Sequence, residues 1–139
     1  MMRYRLAFVA AVLAATPVSA ADLTIAVGPV RGSGGEIRLA LYEREEGFRK
    51  EDQARQLLPV PAKAGTVEGT FRGLPPGRYA VIAYHDENGD GKLNLRFGMF
   101  PKEGYGLSNN PKLSGPPRFR EAALDLPEAG ARIDIQLKY

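Results

Sequence analysis

The segment Arg132–Tyr139 alternates without a fault, with Ile133, Ile135, Leu137 and Tyr139 on one side and Asp134, Gln136 and Lys138 on the other. Successive side chains of a strand leave on opposite sides, so a period of two is buried only as a strand with one face on a core. The same period runs through Leu23–Val27, Glu36–Tyr42 and Thr66–Phe71, with Gly32-Ser-Gly-Gly35 as the turn between the first two. Arg78–His85 carries Tyr79, Val81 and Ala83 on one face and Ala80, Ile82 and Tyr84 on the other. Neither face is charged, which predicts a central strand. Leu74-Pro-Pro-Gly-Arg-Tyr79 predicts a tight turn, with proline setting φ and Gly77 taking the positive φ after it. Glu43–Gln56 is crowded with charge and lacks alternation, so it is expected to be irregular with a short helix, Phe48, Leu57 and Leu58 capping the core from it or beside it. About seven short strands with glycine and proline turns and no sustained helical period predict an all-β fold, a β-sandwich.

Arg3 and Arg5, the apolar run Leu6–Ala15 and the small residues Val18 and Ala20 stand in the order of a cleavable export signal. The apolar run is too short for a permanent span. Cleavage is expected after Ala20, leaving a single β-sandwich domain over 21–139 that is periplasmic or secreted. No later stretch is apolar enough to span a membrane. Two of the nineteen basic side chains leave with the signal and all sixteen acidic ones stay, so the net charge of +3 falls by two. No Lys/Arg stripe with interleaved aromatics remains, which argues against nucleic acid. The absence of cysteine rules out a lipid-anchoring cysteine and disulfide staples, and a domain of this size can form a core without them.

Asp86-Glu-Asn88-Gly-Asp90-Gly91-Lys92-Leu-Asn94 places oxygen-bearing side chains at positions one, three, five and nine, glycine at six and a backbone carbonyl at Lys92. This is the front of a calcium loop: a hard cation needs several oxygens at once, and glycine lets the chain turn sharply around it. Position twelve is Phe97 in place of a bidentate Glu, and Asn94 is neutral. The predicted site is therefore weak, of the order of 10⁻⁴ to 10⁻³ M. Glu103 supplies the missing carboxylate if the chain folds back. The alternative is that Asn88-Gly89 and Asp90-Gly91 are hairpin turns whose Asp and Asn side chains bond neighbouring backbone amides.

The stretch 86–117 is long and rich in Gly, Asn and Pro, and a loop of that length is usually functional or disordered. Its aromatics Phe97, Phe100 and Tyr105 predict an ordered excursion on one end of the sandwich. His85, Phe100, Tyr105 and Asn109 are candidates for a ligand rim, since amphipathic tyrosines suit binding surfaces. The competing reading makes the aromatics pins for the loop and His85 a strand-end side chain bonded to a loop carbonyl. His85 is the only histidine, and the chain lacks cysteine, a Gly-x-Ser-x-Gly elbow and a paired-histidine zinc signature. Catalysis has little to stand on, though a small hydrolase using His85 with Asp86 or Glu103 stays open.

Leu74-Pro-Pro-Gly-x-Tyr79, Tyr84-His-Asp-Glu-Asn-Gly-Asp-Gly-Lys-Leu93 and Pro101-Lys-Glu-Gly-Tyr-Gly-Leu-Ser-Asn109 occur in that order. In these motifs the chain resembles the bacterial family called domain of unknown function 2141, over most of its mature length. The resemblance implies a small exported β-sandwich akin to transthyretin-like and carboxypeptidase-regulatory-like folds, immunoglobulin-like in architecture, and implies no activity. Where such families bind calcium, the Asp-x-Asn-x-Asp-Gly stretch is the part that would do it. The hydroxyisourate hydrolase among transthyretin-like proteins relies on more than one histidine and a Tyr-Arg-Gly-Ser end. This chain has one histidine and reads Gln-Leu-Lys-Tyr139 there, so that activity is not expected. The leading expectation is a non-catalytic binding or envelope-associated module with a calcium loop at Asp86–Asn94. Its partner would be an envelope protein or a small ligand, and a purely structural sandwich is the further alternative.

Overall fold

A computed structural model describes residues 7–14, 19–91, 95–96, 100–101 and 103–139. Residues 7–14 form no regular structure, and Phe8, Val9, Val12 and Leu13 are exposed. The strands are β1 (Ala21–Val30), β2 (Glu36–Tyr42), β3 (Gln56–Pro61), β4 (Gly65–Leu74), β5 (Gly77–Asp86), β6 (Leu95–Arg96), β7 (Phe100–Pro101), β8 (Tyr105–Leu107), β9 (Leu124–Leu126) and β10 (Ala131–Gln136). A 3₁₀ turn at Glu51–Gln53 and the short helix α1 (Phe119–Ala122) complete the described elements. Among these residues no helix is long and apolar enough to cross a membrane.

The fold is an all-β sandwich. One sheet runs β10-β1-β4, the other β3-β2-β5-β8 with β9 also paired to β5, and β6 and β7 form a separate hairpin. β1 and β10 pair in parallel, Ile25 opposite Ile133 and Val27 opposite Ile135. Between the sheets lies the main core, with Leu23, Ile25 and Val27 facing Ile37, Leu39 and Leu41, together with Phe71, Tyr79, Val81 and Ile135. This is the buried face that the alternation predicts.

β5 is central, as its two uncharged faces require, because β2 lies on one side and β8 and β9 share the other. Its second face is buried under a smaller cluster. Ala40, Tyr42 and Ala80 meet Leu107, Phe48, Phe119 and Ala122 there, with Ile82 packed alongside. Phe48 thus covers the outer face of the sheet, set edge-on to Tyr42 at 5.2 Å and to Phe119 at 5.9 Å. Leu58 packs on the main core instead, and Leu57 is exposed, because both belong to β3.

β3 and β9 raise the two sheets to eight strands. β3 holds Pro59 and Pro61 and lies at a sheet edge, where a missing N–H does not break an interior ladder. The β4–β5 connection crosses from one sheet to the other and is not a hairpin, and in it Gly73 (φ 65°), not Gly77, takes the left-handed conformation. The turn is closed by the Tyr79 hydroxyl, which donates to the Pro75 carbonyl at 2.6 Å.

Candidate metal centre

Pairing between β2 and β5 puts Glu36 opposite Asp86 and Ile37 opposite His85, so the β2 turn and the end of β5 meet at one corner. Gly35 (φ 72°) is required there, because a Cβ on it would stand 1.9 Å from the Asp86 carbonyl oxygen. On the other side of β5, Tyr84 faces Tyr105 of β8, and the His85 amide donates to the Gly104 carbonyl at 2.8 Å. Continued by one residue, this antiparallel register brings Glu103 beside Asp86 and Glu87. Seventeen positions of chain separate Asp86 from Glu103, and strand pairing closes the gap.

Asp86 is completely buried and Glu103 nearly so, while Asp90 is exposed. One carboxylate oxygen from each lies within 4.8 Å of those of the other two. Gly89 (φ 69°) and Gly91 (φ 70°) supply the two left-handed bends that turn the chain back over Asp86. Asp86 Oδ2 accepts the Gly91 N–H at 2.7 Å and its Oδ1 accepts the Asp90 N–H at 3.2 Å. Glu103 Oε2 accepts the Glu87 N–H at 2.8 Å. Asn88 braces the exposed side, its Nδ2 donating to Asp90 Oδ2 at 3.2 Å and its Oδ1 accepting the Asp90 N–H at 3.3 Å.

The turn hydrogen bonds and the cluster of three carboxylates are therefore present together. A carboxylate oxygen has two lone pairs, so an oxygen that accepts one amide keeps another for an ion. The arrangement gathers hard oxygen donors in a partly buried pocket, the donor type that calcium and magnesium prefer. Lys92, Asn94 and Phe97 lie outside the described residues, as does the side chain of Phe100, whose backbone forms part of β7.

His85 is fully buried and both ring nitrogens are used. Nε2 lies 2.7 Å from the Gly34 carbonyl, which only accepts, so Nε2 carries the proton. Nδ1 lies 2.7 Å from the Tyr139 hydroxyl, whose oxygen accepts the Arg31 N–H at 3.0 Å, and 3.7 Å from Glu87 Oε1. Arg31 also stacks its guanidinium 4.5 Å from the Tyr139 ring centre. Burial pushes the Tyr139 hydroxyl above its ordinary pKa, although the Arg31 amide works against this. The ring thus ties β5 to the Gly34 turn and the chain's last residue, and a solvent-borne substrate has no approach to it.

Tyr105 is half-buried, with backbone bonds to Lys138 in both directions. Asn109 (φ 66°) is exposed but donates from Nδ2 to the Ala123 carbonyl at 2.8 Å. Both pin the chain that leaves the site, and Tyr105 lines a cavity with Asn110, Leu113, Gln136 and Lys138.

Two residues outside the motif help to hold the loop. The Tyr84 hydroxyl lies 2.9 Å from Glu51 Oε1 and 3.2 Å from the Gly91 carbonyl; its single hydrogen serves the nearer carboxylate, which sets the hydroxyl beside Gly91, the residue whose N–H Asp86 accepts. Burial first, and then the Glu51 carboxylate, raises the Tyr84 pKa. Arg38 bridges Glu36 at 2.8 Å and Glu51 at 3.3 Å beneath them. Tyr84 sits beside the motif in the chain, whereas nothing in the charged stretch around Glu51 marks that residue out.

Residues 25–134 match the family described as "Uncharacterized protein conserved in bacteria (DUF2141)". No curated protein and no solved structure matches the chain. With the family match extending from within β1 into β10, and so across both sheets and the Asp86–Glu103 corner, the chain belongs to this bacterial family, domain of unknown function 2141.

Proposed function

We propose that this chain is an exported, non-catalytic binding module of the bacterial envelope, periplasmic or secreted, whose Asp86, Asp90 and Glu103 carboxylates hold a divalent cation, calcium before others. The observation that carries this reading is the convergence of the three carboxylates within 4.8 Å, two of them buried. A cation at their centre turns mutual repulsion into attraction. Calcium is favoured over magnesium because a glycine-rich loop with mixed ligands suits its flexible coordination better than a strict octahedron. The Asn88 and Gly91 region supplies few further charges, so binding is weak and suited to calcium-rich surroundings outside the cytoplasm.

Export is supported by the order of Arg3, Arg5, the apolar run and Ala20, and by β1 beginning at Ala21. Mass spectrometry of the envelope fraction should find the mature chain starting at Ala21; only the full-length chain, recovered from the cytoplasm, would refute the export reading. An envelope protein or a small ligand is the expected partner.

Thermal melting of the 21–139 chain tests the cation. Calcium at ten times its dissociation constant should stabilise the fold by about 1.4 kcal/mol, and chelator should reverse the gain. Asp86→Ala should melt lower and show no response to calcium. A parent midpoint that ignores millimolar calcium removes the metal from the account.

A further inference from the structure

We infer that Asn88 is a self-modification site, where the loop loses ammonia and gains a carboxylate. The chain has four asparagines, and Asn88 is the one followed by glycine. In this chemistry the Gly89 backbone nitrogen gives up its proton to hydroxide and attacks Asn88 Cγ. The new N–Cγ bond closes a five-membered imide as the Cγ–Nδ2 bond breaks and Nδ2 leaves with its two hydrogens, taking up one proton from water as ammonia and regenerating hydroxide. Water then opens the imide. Cleavage at Cγ gives aspartate, and cleavage at the backbone carbonyl gives isoaspartate. The net reaction is amide plus water to carboxylate plus ammonia, with no redox partner.

The local structure favours this step at Asn88 and opposes it at Asn109 and Asn110. Asn88 and Gly89 are both exposed, so solvent reaches this dipeptide. Asn88 Oδ1 already accepts the Asp90 N–H at 3.3 Å, a donor in place for the oxyanion that forms at Cγ. Asn110 precedes Pro111, whose nitrogen has no hydrogen to lose. Asn109 is followed by bulkier Asn110 and is tied to Ala123.

The consequence rests on the cation reading. Conversion to aspartate puts a carboxylate at the third position of the loop, beside Asp86, Asp90 and Glu103, and so tunes a weak site upward with the age of the molecule. Isoaspartate lengthens the backbone by one atom and lowers affinity in that fraction.

The full chain, held folded in mildly alkaline buffer and then digested, should show the mass gain of NH₂ replaced by OH in the Asn88-Gly89 peptide, while the Asn109-Asn110 peptide stays intact. Asn88→Gln should abolish the gain, and Gly89→Ala should slow it if that variant folds. No gain, or a gain only at another asparagine, overturns the assignment. Calorimetry with calcium alone then compares the parent with Asn88→Asp, for which about tenfold tighter binding is expected. A parent that binds while Asn88→Asp binds no tighter refutes the tuning. If neither protein binds calcium, the cation reading fails and the tuning with it, while the chemistry at Asn88 is judged by the mass alone.

Discussion

Asp86 is sealed from solvent, and its carboxylate oxygens each take an N–H from the loop that follows, at 3.2 and 2.7 Å. Burial of a charge is tolerated only with such partners. Asp86→Ala orphans those two donors, which predicts a loss of about 1–3 kcal/mol in urea titration even with chelator present. That structural cost is separable from the calcium response, which the melts read as a difference. Gly35 guards the same corner from the β2 side. Gly35→Ala combines a disfavoured positive φ with a Cβ driven into the Asp86 carbonyl, and it should cost about 2 kcal/mol or more in the same assay. A Gly35→Ala protein as stable as the parent would show that the β2 turn does not rest on Asp86.

At the scale of elements, the corner exists because β5 is paired on both sides. β2 sets the Gly35 turn against Asp86, and β8 returns Glu103 to it. Ser108, just past β8, ties this return to the rest of the sheet. It is fully buried, its Oγ accepting the Val81 N–H at 2.9 Å and donating to the Ala122 carbonyl at 2.5 Å. The outer face of β5 needs the charged stretch after β2 as its lid, through Phe48. Phe48→Ala removes a buried ring from between Tyr42 and Phe119 and should cost about 3 kcal/mol by denaturant titration. A loss near zero would show that the lid adds nothing to the sandwich. Phe48 stands out in the sequence as an aromatic cap, but a single aromatic among charges carries no repeat and so does not tell which face of the sheet it covers. β3 escapes a search for period two because its prolines mask the alternation of Leu58 and Val60.

For the whole molecule, the acid–base behaviour is set by tyrosines. Burial, then the Glu51 and Asp52 carboxylates, push Tyr42 up to about 12, and Tyr79, Tyr84 and Tyr139 are raised for the same first reason. A group whose folded pKa lies above its unfolded value lends stability that is complete below the unfolded pKa, ~10 for tyrosine. That stability is lost as pH climbs through the folded value. The unfolding free energy should therefore fall between about pH 10 and 12, in step with tyrosinate absorbance. Flat stability across that window would mean the buried hydroxyls ionise without cost. By itself the sequence determined the all-β class, the inward faces of β1, β2, β5 and β10, and the oxygen-rich turn at Asp86, because periodicity and turn chemistry are local properties of neighbouring residues. Tertiary structure alone decided that Glu103 stands beside Asp86 and that the Tyr84 hydroxyl bonds Glu51 next to Gly91. It also decided that His85 is spent on Gly34 and Tyr139. Each of these depends on strand register, which joins residues far apart in the chain and leaves no spacing to read.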